Sequence, residues 1–238
     1  RPPVARSFQR PLPPSDPGAS PIGPLPAAVV VLVLALAAVE GALALGQMGL
    51  VGGPGAIGWR AGLVERLAVS PAVLDYALAG ADPALWLRFV SYPLVHGGTL
   101  HALFAAALLL ALGKFVAEGM GSPAMLATFA AGTLGGALLF GALAPATAPL
   151  YGAYPGVYGL IGGFTYLLWL RLGREGGNRL AAFRLIGMLM AIQLVFGALF
   201  GSSPQWIGDV GGFVAGLAVA PLLAPGGLAA LRARLRAR

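Results

Sequence analysis

Residues 151–160 read YGAYPGVYGL. Glycines at 152, 156 and 159 punctuate the stretch, and an apolar run follows it. That is the pattern of a tight turn opening a helix, the kind of turn that can present a small nucleophile. Here Tyr154 and Pro155 stand where the nucleophile would be expected. The run behind them, about Gly156 to Leu172, is apolar enough to be a short membrane span. Five further runs of this kind flank it: about Ala27 to Leu45, Thr99 to Val116, Pro123 to Leu143, Phe183 to Phe200 and Gly208 to Leu223. Hydrocarbon leaves backbone groups no outside partner, so all six are read as helices.

The composition agrees. Of 238 residues, 58% are hydrophobic and 10% are charged, whereas soluble domains run near a quarter charged. Mean hydropathy is +0.84. With no cysteine, disulfides and thiolate chemistry are out. Two histidines are too few for a histidine-rich metal centre. No cofactor is expected. The net charge of +7 does not point to nucleic acid, because the basic residues are spread over short loops and tails. One lysine against fourteen arginines suggests a GC-rich bacterial genome.

Three regions follow outward from the spans. Residues 1–26 form a proline-rich arm, unable to build a helix and expected to be extended. Residues 27–225 form the membrane domain, with an insert at 46–92 of short amphipathic runs such as WRAGLVERLA. These should lie in the interface, with the aromatics of WLRF and YP as interfacial anchors. Residues 226–238 form a basic tail. Placing the N-terminus in the cytoplasm puts twelve basic residues inside and three outside, so both termini are expected in the cytoplasm of a bacterial inner membrane. In the tail, Arg232, Arg234, Arg236 and Arg238 suit anionic lipid headgroups or an acidic partner surface. Gly132 with Gly136, Gly159 with Gly163 and Gly212 with Gly216 have the small-residue spacing that lets membrane helices approach closely.

Three polar stretches remain: RFVSYPLVHGGTLHALFAA with Arg88, His96 and His101; the 151–160 turn; and WIGDVGGFVAG, with Asp209 ahead of a Gly-Gly-x-x-x-Gly run. In this order, on six spans, they resemble the motifs of the rhomboid intramembrane serine proteases over about Trp86 to Leu223. The resemblance implies an all-α, six-transmembrane-helix bundle with an insert after the first helix. It places the serine nucleophile at Tyr154 and the glycine after it at Pro155. The aromatic that packs on the catalytic histidine falls at Tyr158, the histidine base at Asp209 and the oxyanion asparagine at Ala105. His96, His101 and Arg88 match, and Glu118 matches loosely.

Serine-dyad hydrolysis needs a nucleophile, a base and a stabilised oxyanion. A bulky phenol is a poor acyl acceptor, Ala105 has no side-chain donor, and Pro155 has no N–H. The resemblance therefore implies a catalytically inactive member that binds other integral membrane proteins as a scaffold, assembly factor or accessory subunit. A respiratory or photosynthetic complex is a candidate partner. Two alternatives stay open: a protease with non-standard residues, and a permeation protein using Asp209 and the histidines. The structural readings are an N-cap role or a phenol hydrogen bond for Asp209, loop-carbonyl partners for the histidines, ion partners for Arg88 and Glu118, and an inward or boundary position for Glu40.

Overall fold

The computed structural model describes residues 23–201 and 203–227. Most of the proline-rich arm and the four tail arginines, Arg232, Arg234, Arg236 and Arg238, lie outside the described residues. The described residues fold into α-helices: α1 (Ala27–Gln47), α2 (Trp59–Leu67), α3 (Pro71–Leu78), α4 (Leu85–Ser91), α5 (Thr99–Met120), α6 (Ser122–Leu143), α7 (Tyr154–Arg174), α8 (Arg184–Phe200) and α9 (Trp206–Leu223). Among the described residues the only β pairing is an isolated bridge between Val69 and Leu150.

Among the described residues, five helical segments are long and apolar enough to cross a membrane: α1, α5, α6, Arg179–Leu199 and α9. The expected six spans therefore become five on length and apolarity, with α7 the exception. The reason is its position. Residues 155–163 of α7 are all buried, because α5, α6 and α9 all pack around it. A helix shielded by its neighbours does not need a lipid-facing apolar surface, so glycines and tyrosines are tolerated along it, while its two arginines are exposed in the last turn.

The axis of the bundle is a glycine seam. A Cβ at Gly212 would lie 2.1 Å from the Pro155 carbonyl oxygen, and one at Gly216 would lie 2.1 Å from that of Gly159. On the other side of α7, a Cβ at Gly132 would lie 2.6 Å from the Gly159 Cα, and one at Gly136 would lie 2.4 Å from the Pro155 Cβ. Gly159 is thus clasped between α6 and α9. Gly163 is less tight, with the Thr128 methyl at 3.1 Å. Gly162, which the spacing pattern passes over, faces α9 at 2.5 Å from the Leu217 nitrogen. With no hydrophobic drive between helices in lipid, such close packing is what holds them.

The insert lies against α6. None of α2, α3 and α4 exceeds nine residues, so none spans. Ser70 caps α3 by accepting a hydrogen bond from the Val73 N–H at 3.3 Å, ahead of Pro71. Leu74, Phe89 and Tyr92 form a second core with Phe140 and Leu150. Tyr92 is not an interfacial anchor, as the sequence suggested. It is fully buried, and its phenol donates to the Thr133 carbonyl at 2.8 Å. Trp86 is 41% exposed. Between α5 and α6 the chain turns on a single residue, Gly121, with φ of 90°, a conformation that only glycine adopts readily.

Candidate functional site

The turn before α7 is stitched to the insert. Val69 and Leu150 exchange backbone hydrogen bonds at 3.1 and 2.7 Å, and the Gly152 N–H donates to the Tyr92 carbonyl at 3.1 Å. Gly152 has a φ of +91°, and a Cβ there would lie 3.0 Å from the His101 ring. Glycine is needed on both counts. This turn delivers Tyr154 and Pro155 to the first turn of α7, where a missing N–H costs nothing.

Both histidines serve this turn. His96 is fully buried, and its Nε2 accepts the Ala153 N–H at 3.2 Å. The ring proton therefore sits on Nδ1, which has no partner among the described residues. Burial, helped by His101 and Arg60, pulls its pKa down to about 4, so the ring is neutral. His101 Nδ1 accepts the Gly97 N–H at 3.3 Å. The Tyr154 ring stacks on the His101 ring, with centroids 4.7 Å apart and planes 10° from parallel. Its phenol makes a long bond, 3.4 Å, to the His101 carbonyl. The expectation that these histidines satisfy loop carbonyls is corrected: each accepts a loop N–H instead.

Glu40 faces inward. Its carboxylate takes two bonds from Arg60, at 2.9 and 2.8 Å, and one from the Thr99 hydroxyl at 2.8 Å. Arg60 also donates to the His96 carbonyl at 2.6 Å. This fork joins α1, α2 and the start of α5 around the loop that carries His96, and it holds the Arg60 guanidinium above its ordinary pKa. Arg88 and Glu118 are not partners of each other. Arg88 donates to the carbonyls of Glu65 and Ala68, and Glu118 pairs with Lys114, which also holds the Pro24 carbonyl.

Asp209 is the fourth residue of α9 and 4% exposed. It does not cap its helix; the N-cap position belongs to Gln205. Nor does either phenol bond it. The side-chain nitrogen of Gln193 lies between, donating to Asp209 Oδ2 at 2.8 Å and to the Tyr158 phenol at 3.1 Å. One amide nitrogen has two hydrogens, so both bonds can be made together. Asp209 Oδ1 and Gln193 Oε1 are buried without partners among the described residues. Sequence reasoning missed Gln193. The available signal was its isolation, a lone amide in the apolar run GMLMAIQLVFGALF.

A cavity of about 930 Å³ opens beside these groups, between the starts of α7 and α9 and the second half of α8. Tyr154, Pro155, Gln193, Trp206 and Asp209 line it. Ala105 is fully buried nearby, within the core that also holds Ala153, Val157 and Tyr158. The hydrophobic core holds the first half of α8 through Leu185, Ile186, Leu189 and Met190. In the second half Gln193 is tied to Asp209 and Tyr158, while Leu194, Val195 and Leu199 are 75%, 54% and 70% exposed.

A rhomboid-domain family model matches residues 83–226, more than half of the chain. The chain belongs to the rhomboid family. No curated protein matches it significantly. The rhomboid match takes in α4 to α9 and therefore the whole cavity wall. It leaves α1, with Glu40, and α2, with Arg60, outside. The rhomboid-type site positions named from the sequence fall in two groups. Tyr154, His101 and Asp209 border the cavity, whereas His96, Ala105 and Tyr158 sit behind its wall.

Proposed function

We propose that this rhomboid-family protein is non-catalytic and holds transmembrane helices of other membrane proteins in the cleft beside α8. It would serve as a scaffold, assembly factor or accessory subunit in a bacterial inner membrane, with both termini cytoplasmic. A respiratory or photosynthetic complex is a candidate partner, and the basic tail is assigned to anionic lipid. One observation carries the reading. The groups at the cleft are a phenol stacked on a histidine and a carboxylate bonded to an amide. Neither arrangement pairs a small nucleophile with a base, which acyl transfer requires. Pro155 and Ala105 likewise supply no donor for a developing oxyanion.

The cleft itself supports the binding half of the proposal. It is open, apolar over most of its wall, and flanked by a helix whose second half exposes Leu194, Val195 and Leu199. The test uses the full chain in nanodiscs with a fluorescent transmembrane peptide and, separately, a serine-directed fluorophosphonate. Saturable peptide binding without cleavage or covalent labelling is expected. Hydrolysis of the peptide, or labelling anywhere in α7, would overturn the non-catalytic half. Absence of binding would overturn the other.

A further inference from the structure

The cleft wall is mostly apolar. Within it Asp209, 4% exposed, and Gln193 each carry a buried acceptor oxygen that nothing bonds among the described residues. Two orphan acceptors side by side are unusual, because an unsatisfied buried polar group costs free energy. The Gln193 amide nitrogen bonds Asp209 Oδ2 and the Tyr158 phenol oxygen, and the Tyr154 phenol is turned to the His101 carbonyl, so none of these donors serves the two orphan oxygens. One of the two belongs to a carboxyl group.

Building on the reading of the cleft as a helix-binding site, we propose that its guest is a transmembrane helix bearing a lysine or arginine near one end, placed against Asp209 and Gln193. The argument is one of chemistry. An ammonium or guanidinium brings several N–H donors and no acceptor, matching the two orphan acceptors. A hydroxyl or amide guest brings no charge to set against the carboxyl group. An intramembrane cation is costly alone and is normally paired with an acid. An all-apolar helix gains little by leaving lipid, since lipid tails are as apolar as leucine. The Asp209–Gln193 pair is therefore where one guest is distinguished from another.

Depth is specified too. Asp209 is three residues inside the start of α9, roughly 5 Å along the axis at 1.5 Å per residue. The guest cation belongs near the end of its helix that lies level with the 201–205 turn.

The experiment uses the full chain in nanodiscs and a set of leucine–alanine transmembrane peptides carrying Lys, Asn, Glu or no polar residue at that depth. Binding is read by energy transfer to a label on the chain. The lysine peptide should bind at least tenfold more tightly than the apolar one, and the Asn and Glu peptides should not. Moving the lysine two turns deeper should abolish the preference, as should Asp209→Asn, whose fold is checked by thermal melting. If Asp209→Asn does not fold, the peptide series on the unaltered chain decides alone. Equal binding of lysine and apolar peptides would overturn this inference and leave helix binding standing, whereas no binding by any peptide would overturn both. An Asn peptide as tight as the lysine one would also refute the cationic guest. The preference should survive when phosphatidylethanolamine is added to the nanodiscs. Its loss there would give the site to a lipid ammonium headgroup and overturn the proposal.

Discussion

Gly216→Ala tests the glycine seam directly. The new methyl would lie 2.1 Å from the Gly159 carbonyl oxygen, whereas ordinary contact begins near 3.4 Å. The obstacle is backbone, so no rotamer change relieves it, and α7 and α9 must separate by more than ~1 Å. Overpacking of this kind costs about 1–3 kcal/mol, while replacing a mid-helix glycine by alanine returns up to about 1 kcal/mol of helix propensity. The net expectation is a loss of about 1–2 kcal/mol. Gly41→Ala in α1 is the control. Nothing lies within 4 Å of its Cβ position, so only the propensity gain applies. Reversible unfolding of both variants in mixed micelles, followed by circular dichroism, supplies the comparison. A Gly216→Ala protein as stable as the parent, with Gly41→Ala no better, would refute the claim that backbone contact joins α7 to α9.

Other predictions concern the groups that shape the turn. Arg60→Ala leaves Glu40 with the Thr99 hydroxyl as its one remaining partner. It should cost about 2–4 kcal/mol in the same unfolding assay, below the figure for a fully dry pair because Arg60 keeps some exposure. His96 gives a pH dependence. Burial holds the folded ring at about 4 against its ordinary 6.5, so the unfolded chain takes up the proton first. Its contribution is complete above pH 6.5 and is lost as pH falls toward 4, with a slope of up to about 1.4 kcal/mol per pH unit. His96→Gln should flatten the stability profile in that window, and an unchanged slope would count against the buried neutral ring. Topology is testable because the chain has no cysteine. Cysteines introduced at Ala146 and Gly177 should react with impermeant maleimide from opposite sides of the membrane, and labelling of both from one side would overturn the alternating arrangement.

The helices were legible in the sequence because lipid imposes a simple rule, a long apolar run for each crossing. The glycine seam was legible for a related reason, since regular spacing on one helix marks the face that meets another. The rule misleads at α7, where the surroundings are protein and not lipid, so hydropathy understates a helix at the centre of the bundle. Tyr92 fails in a similar way: an aromatic beside a proline suggests a membrane boundary, but the surrounding insert folds over it. The pairing of Glu40 with Arg60 and the bridge from Gln193 to Asp209 and Tyr158 were not legible. Each joins residues from separate elements, and no local pattern states which polar group on one helix faces which on another. The turn at 151–160 was recognisable, but the partners that fix it, His96 and the Tyr92 carbonyl, lie more than fifty residues away.

Apolar contact holds α8 by its first half, and Gln193 ties its middle to α7 and α9, so a tilt about the first half must break that tie. The seventeen residues of α8 amount to roughly 25 Å of rod at 1.5 Å per residue. A tilt of about 10° at the anchored end would therefore carry the free end roughly 4 Å, about the width of a side chain. The fulcrum is the 3-10 turn Arg179–Phe183, where the Arg179 guanidinium lies 5.7 Å from the Trp169 ring and Phe183 meets Trp169 edge-on. The width of the cleft is therefore tied both to this turn and to the Gln193 bridge. Side chains at 179–183, which do not touch Asp209, would bear on that width from the far end of the helix.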